Sequence, residues 1–318
     1  MHRSVIMLSL LLAAACSRGN APEAESAQQA LAETVQEDAN ADAQEAKRGP
    51  GQIVAESALE DWRALDPENM LVIELERGRV VVALSEKLAA SHTAQMKALA
   101  REGFYDGLSF YRVIDGFVAQ GGDVFETREI KTAEKSLAAM FDEPLTNAMK
   151  LTPIKDVDGY APQVGFIDSE AVGVDGDRVW KLHCTGAMAM ARGNEKDTGG
   201  TEFYIALQPQ RYLDRNLTVF GQVVDGMEHI QLLHRVAPPE SEGDDRGEEI
   251  ISMRVAADLP EGERPALEIM RSDTPTFGAY VEARRNRPEE FFYFRPDHVD
   301  VCALSIPVRA IASDMSAE

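Results

Sequence analysis

The sequence predicts a mainly β fold, and three observations carry that prediction. Residues 71–76 and 79–84 are short Val-, Ile- and Leu-rich runs joined at Arg77-Gly78, the pattern of a hairpin. Runs of the same kind recur at 203–207, 218–224 and 250–255. Helical spacing is confined to a few stretches. The clearest is 91–102, with Met96, Leu99 and Ala100 on one face and Gly103 at the C-cap position. A chain of 318 residues has room for two domains, or for one domain with extensions. Its 54 acidic against 32 basic residues give a net charge of −22, which argues against a nucleic-acid partner and against a basic membrane-surface patch.

The chain opens with His2-Arg3 and an apolar run from Val5 to Ala15, the length of a signal-peptide core and too short to span a membrane. Leu12-Ala-Ala-Ala-Cys16 resembles a bacterial lipobox, with Ala13 where that motif usually has leucine. Residues 1–15 are therefore expected to be a signal peptide, and Cys16 the lipidated first residue on the periplasmic side of a membrane. Ala13-x-Ala15 also fits an ordinary cleavage site, so a soluble periplasmic form is the alternative. Residues 16–60 are rich in Ala, Glu, Gln and Asp with few large apolar side chains, and read as a disordered tether.

After the hairpin and the helix comes Phe110-Tyr-Arg-Val-Ile-Asp-Gly-Phe-Val-Ala-Gln-Gly-Gly-Asp123. Strand periodicity alone would put Arg112 and Phe117 on opposite faces. Gly116 breaks the register, and a bend there brings Arg112, Phe117 and Gln120 together as a small apolar pocket with a cation and an amide at its rim. Further on, Gly186-Ala-Met-Ala-Met-Ala191, Gly200-Thr-Glu-Phe-Tyr-Ile205, Tyr212-Leu-Asp214 and Val219-Phe-Gly221 follow in that order. The first stretch resembles the active-site signature of cyclophilin-type peptidyl-prolyl isomerases, F-H-R-[IV]-I-x-G-F-x-x-Q-G-G-D. The later series resembles the family's G-x-x-x-M-A, G-S-Q-F-F-I, W-L-D and V-F-G elements. The resemblance runs from about residue 70 to 233.

It implies a closed antiparallel β-barrel capped by helices, at residues 61–238. It also implies an isomerase that binds proline-containing segments, here of envelope proteins, as a monomer with no cofactor. Arg112 takes the catalytic position. Tyr111, Phe117, Val118, Gln120, Ala191, Arg192, Tyr204, Tyr212, Leu213 and Leu217 take the substrate-binding positions. The departures are Tyr111 for histidine, Asp115 for proline, Arg192 for asparagine, Glu202 for glutamine and Tyr204 for phenylalanine. Leu217 stands where many eukaryotic members have histidine. Tyr212 replaces the tryptophan associated with tight cyclosporin binding, so weak affinity for that ligand is expected.

Residues 156–181 depart from the family pattern and read as an inserted loop, in which Asp175-Gly-Asp177 is a plain turn rather than a calcium loop. Pro238-Pro239 and the acidic run 240–249 mark a boundary. The remainder, 239–318, reads as an α/β extension packed on the barrel, with a helix capped near Thr274-Pro275 and apolar segments 291–294 and 299–308 in need of burial. With Cys16 acylated, two thiols remain: a Cys184–Cys302 disulfide would staple the C-terminal region onto the main domain, and two buried unpaired cysteines are the alternative. The six histidines lack metal-ligand spacing, and no hydrolase or phosphate-loop motif is present. A proline-peptide binding or scaffolding module with little turnover is the competing reading of the same residues.

Overall fold

The structure, a computed structural model, describes residues 48–241 and 243–311. The signal segment, Cys16 and the tether as far as residue 47 lie outside the described residues. The tether expectation fails at its C-terminal end. Helix α1 (Pro50–Ala55) starts with proline at its first turn, where the missing N–H costs nothing, and buries Ile53. Strand β1 (Trp62–Ala64) follows.

β2 (Met70–Leu75) and β3 (Gly78–Leu84) form the expected hairpin. α2 (Ala90–Glu102) stops at Gly103, which adopts φ 67° and returns its N–H to the last turn. β4 (Ser109–Val113) and β5 (Val118–Gly122) make a second hairpin around Gly116, at φ 65°. The predicted insertion is sheet, not loop. β6 (Glu143–Pro144), β7 (Thr152–Ile154), β8 (Gln163–Ile167), β9 (Glu170–Asp175) and β10 (Arg178–Lys181) pair in the order β6-β10-β9-β8-β7. Val164, Phe166, Val172 and Val174 supply its buried side chains, and Asp175-Gly-Asp177 is its hairpin turn.

β11 (Ala187–Met190), β12 (Phe203–Ala206), β13 (Val219–Asp225), α3 (Met227–Gln231), β14 (Glu248–Glu249) and β15 (Ser252–Val255) complete the main body. Its nine strands run in the order β14-β4-β5-β12-β11-β13-β3-β2-β15. The sheet curls until its two end strands are separated by only Ile250 and Ile251 in the chain. The barrel therefore extends to residue 255, past the boundary placed at 238, because the strand after the acidic run pairs with β2. Alternate residues face inward: Leu71, Ile73, Val80, Val82, Phe110, Met188, Phe203, Ile205 and Phe220 fill the interior, and Met96 and Leu99 of α2 cap it.

The tail adds β16 (Leu267–Met270), α4 (Pro275–Asn286) and β17 (Val308–Ala310). Thr274 caps α4 by accepting from the Phe277 N–H. β16 pairs with β1 on one side and β17 on the other. Leu65, Leu267 and Ile269 then cover the outer face of β2 and β3 at Met70, Val72 and Val81. A second core joins α1, Trp62, the insertion sheet and α4 through Ile53, Phe166, Trp180, Phe277 and Val301. The Cys184–Cys302 disulfide links the segment before β11 to the tail. Burial of 291–294 is not found. Phe291, Tyr293 and Phe294 are exposed. Phe292, half-buried, packs edge-on against Phe291 and beneath Arg287, contacts local to the segment rather than to a core.

Candidate active site

The inner face of the barrel is filled, so a site has to be made on the outer face. Val118, Ala187, Ala189, Tyr204, Ala206 and Val219 are the outward residues of β5, β11, β12 and β13, with Phe117, Ala191, Leu213 and Leu217 around them. Four of these ten are alanines. Phe117, Ala191, Leu213 and Leu217 are partly exposed, so the cluster presents an apolar surface on this side of the barrel.

The bend at Gly116 does what the sequence suggested. Arg112 lies opposite Gln120 in the β4–β5 ladder. Its Nη1 donates to Gln120 Oε1 at 3.4 Å, and its guanidinium stands 5.3 Å from the centre of the Phe117 ring. Gln120 Nε2 in turn donates to the Tyr111 hydroxyl. The structure thus gathers Arg112, Tyr111, Phe117, Val118, Gln120, Ala191, Tyr204, Leu213 and Leu217 at one place. Two predicted residues stand apart. Tyr212 is 58% exposed and lies outside the apolar cluster. Arg192 turns its guanidinium onto the carbonyls of Gly193, Asn194 and Asn216, with Phe141 beneath it.

Two features were not assigned from the sequence. The Tyr204 hydroxyl lies 2.9 Å from His183 Nε2, and His183 Nδ1 lies 2.9 Å from Asp214 Oδ1. Asp214 also accepts the His183 backbone N–H, so Nδ1 carries the proton toward Asp214 and Tyr204 donates to Nε2. Arg211 continues the chain from Asp214 to Asp158, in the loop before β8. His183 is fully buried. Burial, with Asp214 nearby, pushes the Tyr204 phenol well up, so it stays a donor. The signal for this network was the extra hydroxyl itself, since a buried phenol needs a partner.

The second feature is Glu202. Its carboxylate packs where a side chain on Gly122 would stand. Burial pushes its carboxyl up to about 7, with Asp123 and Glu126 adding to the rise.

The barrel carries an arginine–amide pair beside an apolar cluster on its outer face. The chain belongs to the family described as cyclophilin type peptidyl-prolyl cis-trans isomerase/CLD, whose model matches residues 70–255. It is a peptidyl-prolyl cis-trans isomerase of that type. It is 29% identical over 201 residues to a probable peptidyl-prolyl cis-trans isomerase of Brucella suis, covering 63% of this chain and 89% of the relative. It is 34% identical over 155 residues to peptidyl-prolyl cis-trans isomerase B of Bacillus subtilis, covering 48% of this chain and 82% of that protein. The crystal structure of cyclophilin AquaCyp293 from Hirschia baltica matches with a TM-score of 0.67 at 29% identity, over 83% of this chain and 98% of that one. That match extends well beyond the barrel.

Proposed function

We propose that Arg112 catalyses rotation about X-Pro bonds in exported polypeptides by stabilising the twisted amide. Planar conjugation sets a barrier of roughly 18–20 kcal/mol. No bond has to be made to the substrate, so a catalyst needs only to hold the proline and favour the twisted state. As conjugation is lost, the prolyl nitrogen becomes pyramidal and its lone pair accepts a hydrogen bond. A guanidinium aimed there stabilises the transition state more than either planar isomer. It stays protonated throughout, so no pKa tuning is needed.

The observation that carries this reading is the Arg112–Phe117–Gln120 grouping beside an apolar cluster on the outer face. The proline ring packs on the apolar surface between Phe117 and Leu213, over Val118 and Tyr204. Gln120 Nε2 offers its second hydrogen to a substrate carbonyl, anchoring one side of the bond while the other turns. Arg112→Ala tests it. Turnover of an Ala-Pro peptide should fall roughly 10²–10³-fold, as on loss of one preorganised donor, and an unchanged rate would refute the role.

The place of action rests on the sequence. We propose that the enzyme is exported and held at the periplasmic side of a membrane by a lipid on Cys16, with envelope proteins as clients. Labelled palmitate should be incorporated into the natural protein and lost from Cys16→Ser. Equal labelling of both would remove the anchor.

A further inference from the structure

Three large aromatic side chains stand together in water on the loop after α4. Phe291 and Phe294 are 82% and 79% exposed, and Tyr293 is fully exposed. The loop that carries them is held in shape. The Arg295 guanidinium reaches across it and donates to the Pro288 carbonyl at 3.2 Å. The Phe292 N–H donates to the Glu289 carbonyl at 3.1 Å, and the Phe292 ring lies beneath Arg287. Asp156 of the insertion holds both feet. It accepts from Arg285 Nε, on the last turn of α4, at 3.1 Å, and from the Val299 N–H at 3.2 Å. Both side chains of the Asp156–Arg285 pair are buried. A fixed base therefore displays three aromatic rings, and a cluster of that kind marks a surface that meets a partner.

The place of the loop and its charge say which partner. Whatever path residues 16–47 take, they enter the described body at Arg48-Gly49, and the Glu289 carboxyl lies beside Gly49. Helix α1, which begins at the next residue, packs on α4. The covalent link to Cys16 thus joins the body at the foot of the aromatic loop. Around the rings, Arg287 and Arg295 face Glu289, Glu290 and Asp297, so the loop carries no excess of positive charge. Both arginines are already engaged within the loop. With a chain charge of −22 behind it, attraction to an anionic surface is ruled out as the driving force. What the loop offers is apolar area with one phenol, the kind of side chain that gathers where hydrocarbon meets headgroups.

We propose that Phe291, Tyr293 and Phe294 seat the protein on a bilayer of zwitterionic phospholipid, entering its interface as a second contact beside the lipid on Cys16. A second contact makes attachment through an acyl chain firm. The setting rests on the anchor reading. Seating also positions the site. Asp158, two residues after Asp156, pairs with Arg211, which directly precedes Tyr212 and Leu213. The stretch that holds the loop therefore also braces one edge of the site, and a seated loop fixes where that edge stands over the membrane.

The test uses the mature chain from residue 16 with Cys16→Ser, so that neither a lipid nor the signal segment contributes. Phe294→Trp supplies a reporter, read against the same chain without it because Trp62 and Trp180 are buried. The probe is phosphatidylcholine vesicles, with and without bromine on the acyl chains. Bromine should quench the reporter, and partitioning should persist at high salt. Phe291→Ser with Tyr293→Ser and Phe294→Ser should lower partitioning by about tenfold or more, the scale of withdrawing aromatic side chains from water. Tyr293→Ser alone, at a position with no packing to lose, should lower it in the same direction. No quenching, or serine variants that partition like the parent, overturns the proposal. So does a serine-sensitive dimer in the absence of vesicles, or serine-sensitive binding of an unfolded polypeptide by a chain that ignores vesicles. Palmitate labelling reads Cys16 separately, so loss of the anchor and loss of the loop contact are told apart.

Discussion

Tyr204 brings a hydroxyl to a pocket wall where a bare ring would pack as well. The hydroxyl donates to His183, whose other nitrogen is held by Asp214. Replacing it with phenylalanine, the residue the family pattern favours, leaves His183 Nε2 buried and without a partner. Tyr204→Phe should therefore cost about 1–3 kcal/mol of stability. Denaturant unfolding checks this, and a neutral or stabilising effect would show the histidine to be satisfied another way. Sequence spacing made Arg112, Phe117 and Gln120 legible because they lie within one hairpin, where a glycine bend decides which side chains meet. His183 and Asp214 were not legible. They are separated by 31 residues and meet because the Arg211–Leu213 turn returns to His183, where the Gln210 N–H donates to the His183 carbonyl and Asp214 accepts the His183 N–H. Glu202 was visible as a departure, but its isolation from donors is a matter of what surrounds it in space.

At the scale of elements, periodicity served best where one face is buried and the other wet. The β2–β3 hairpin, α2 with its Gly103 cap, and α4 with its Thr274 cap all appear close to where propensity and capping place them. It served least where burial is on both faces or comes from a distant partner. Residues 156–181 are glycine-rich and look like a loop. Yet Gly165 and Gly173 are the points where a Cβ would strike the Thr152 carbonyl and the Trp180 ring, so glycine there permits close strand packing. Residues 50–64 carry too little apolar surface to fold alone, and become ordered because Ile53 and Trp62 enter a core built by α4 and the insertion. The aromatic run 291–294 misled in the other direction, since apolar content creates a demand for burial without supplying a partner.

At the scale of the whole molecule, three separate stretches of chain assemble a second body beside the barrel: residues 50–64, the insertion and the tail. The disulfide ties the tail to Cys184, the residue after His183, and closes a span of 118 residues. Constraining so long a loop should stabilise by up to about 5 kcal/mol in the chain-entropy view. Cys302→Ser should accordingly lower the unfolding free energy by several kcal/mol, read by denaturant melts with and without reductant. Reductant should leave the variant unmoved. If wild type melts identically whether reduced or not, the disulfide has no stabilising role.

The account turns on Arg112 acting on the bond as it rotates, not on how tightly the peptide is held. The most direct measurement is the cis–trans exchange rate of an Ala-Pro peptide while bound, from NMR line shapes at saturating protein. Wild type and Arg112→Ala are compared in the full chain. Fast on-enzyme exchange in wild type and a loss of roughly 10²–10³-fold in the variant, with peptide still bound, is the predicted result. Equal on-enzyme rates with weaker binding in the variant would contradict it, and would make Arg112 a holder of substrate on a proline-binding barrel.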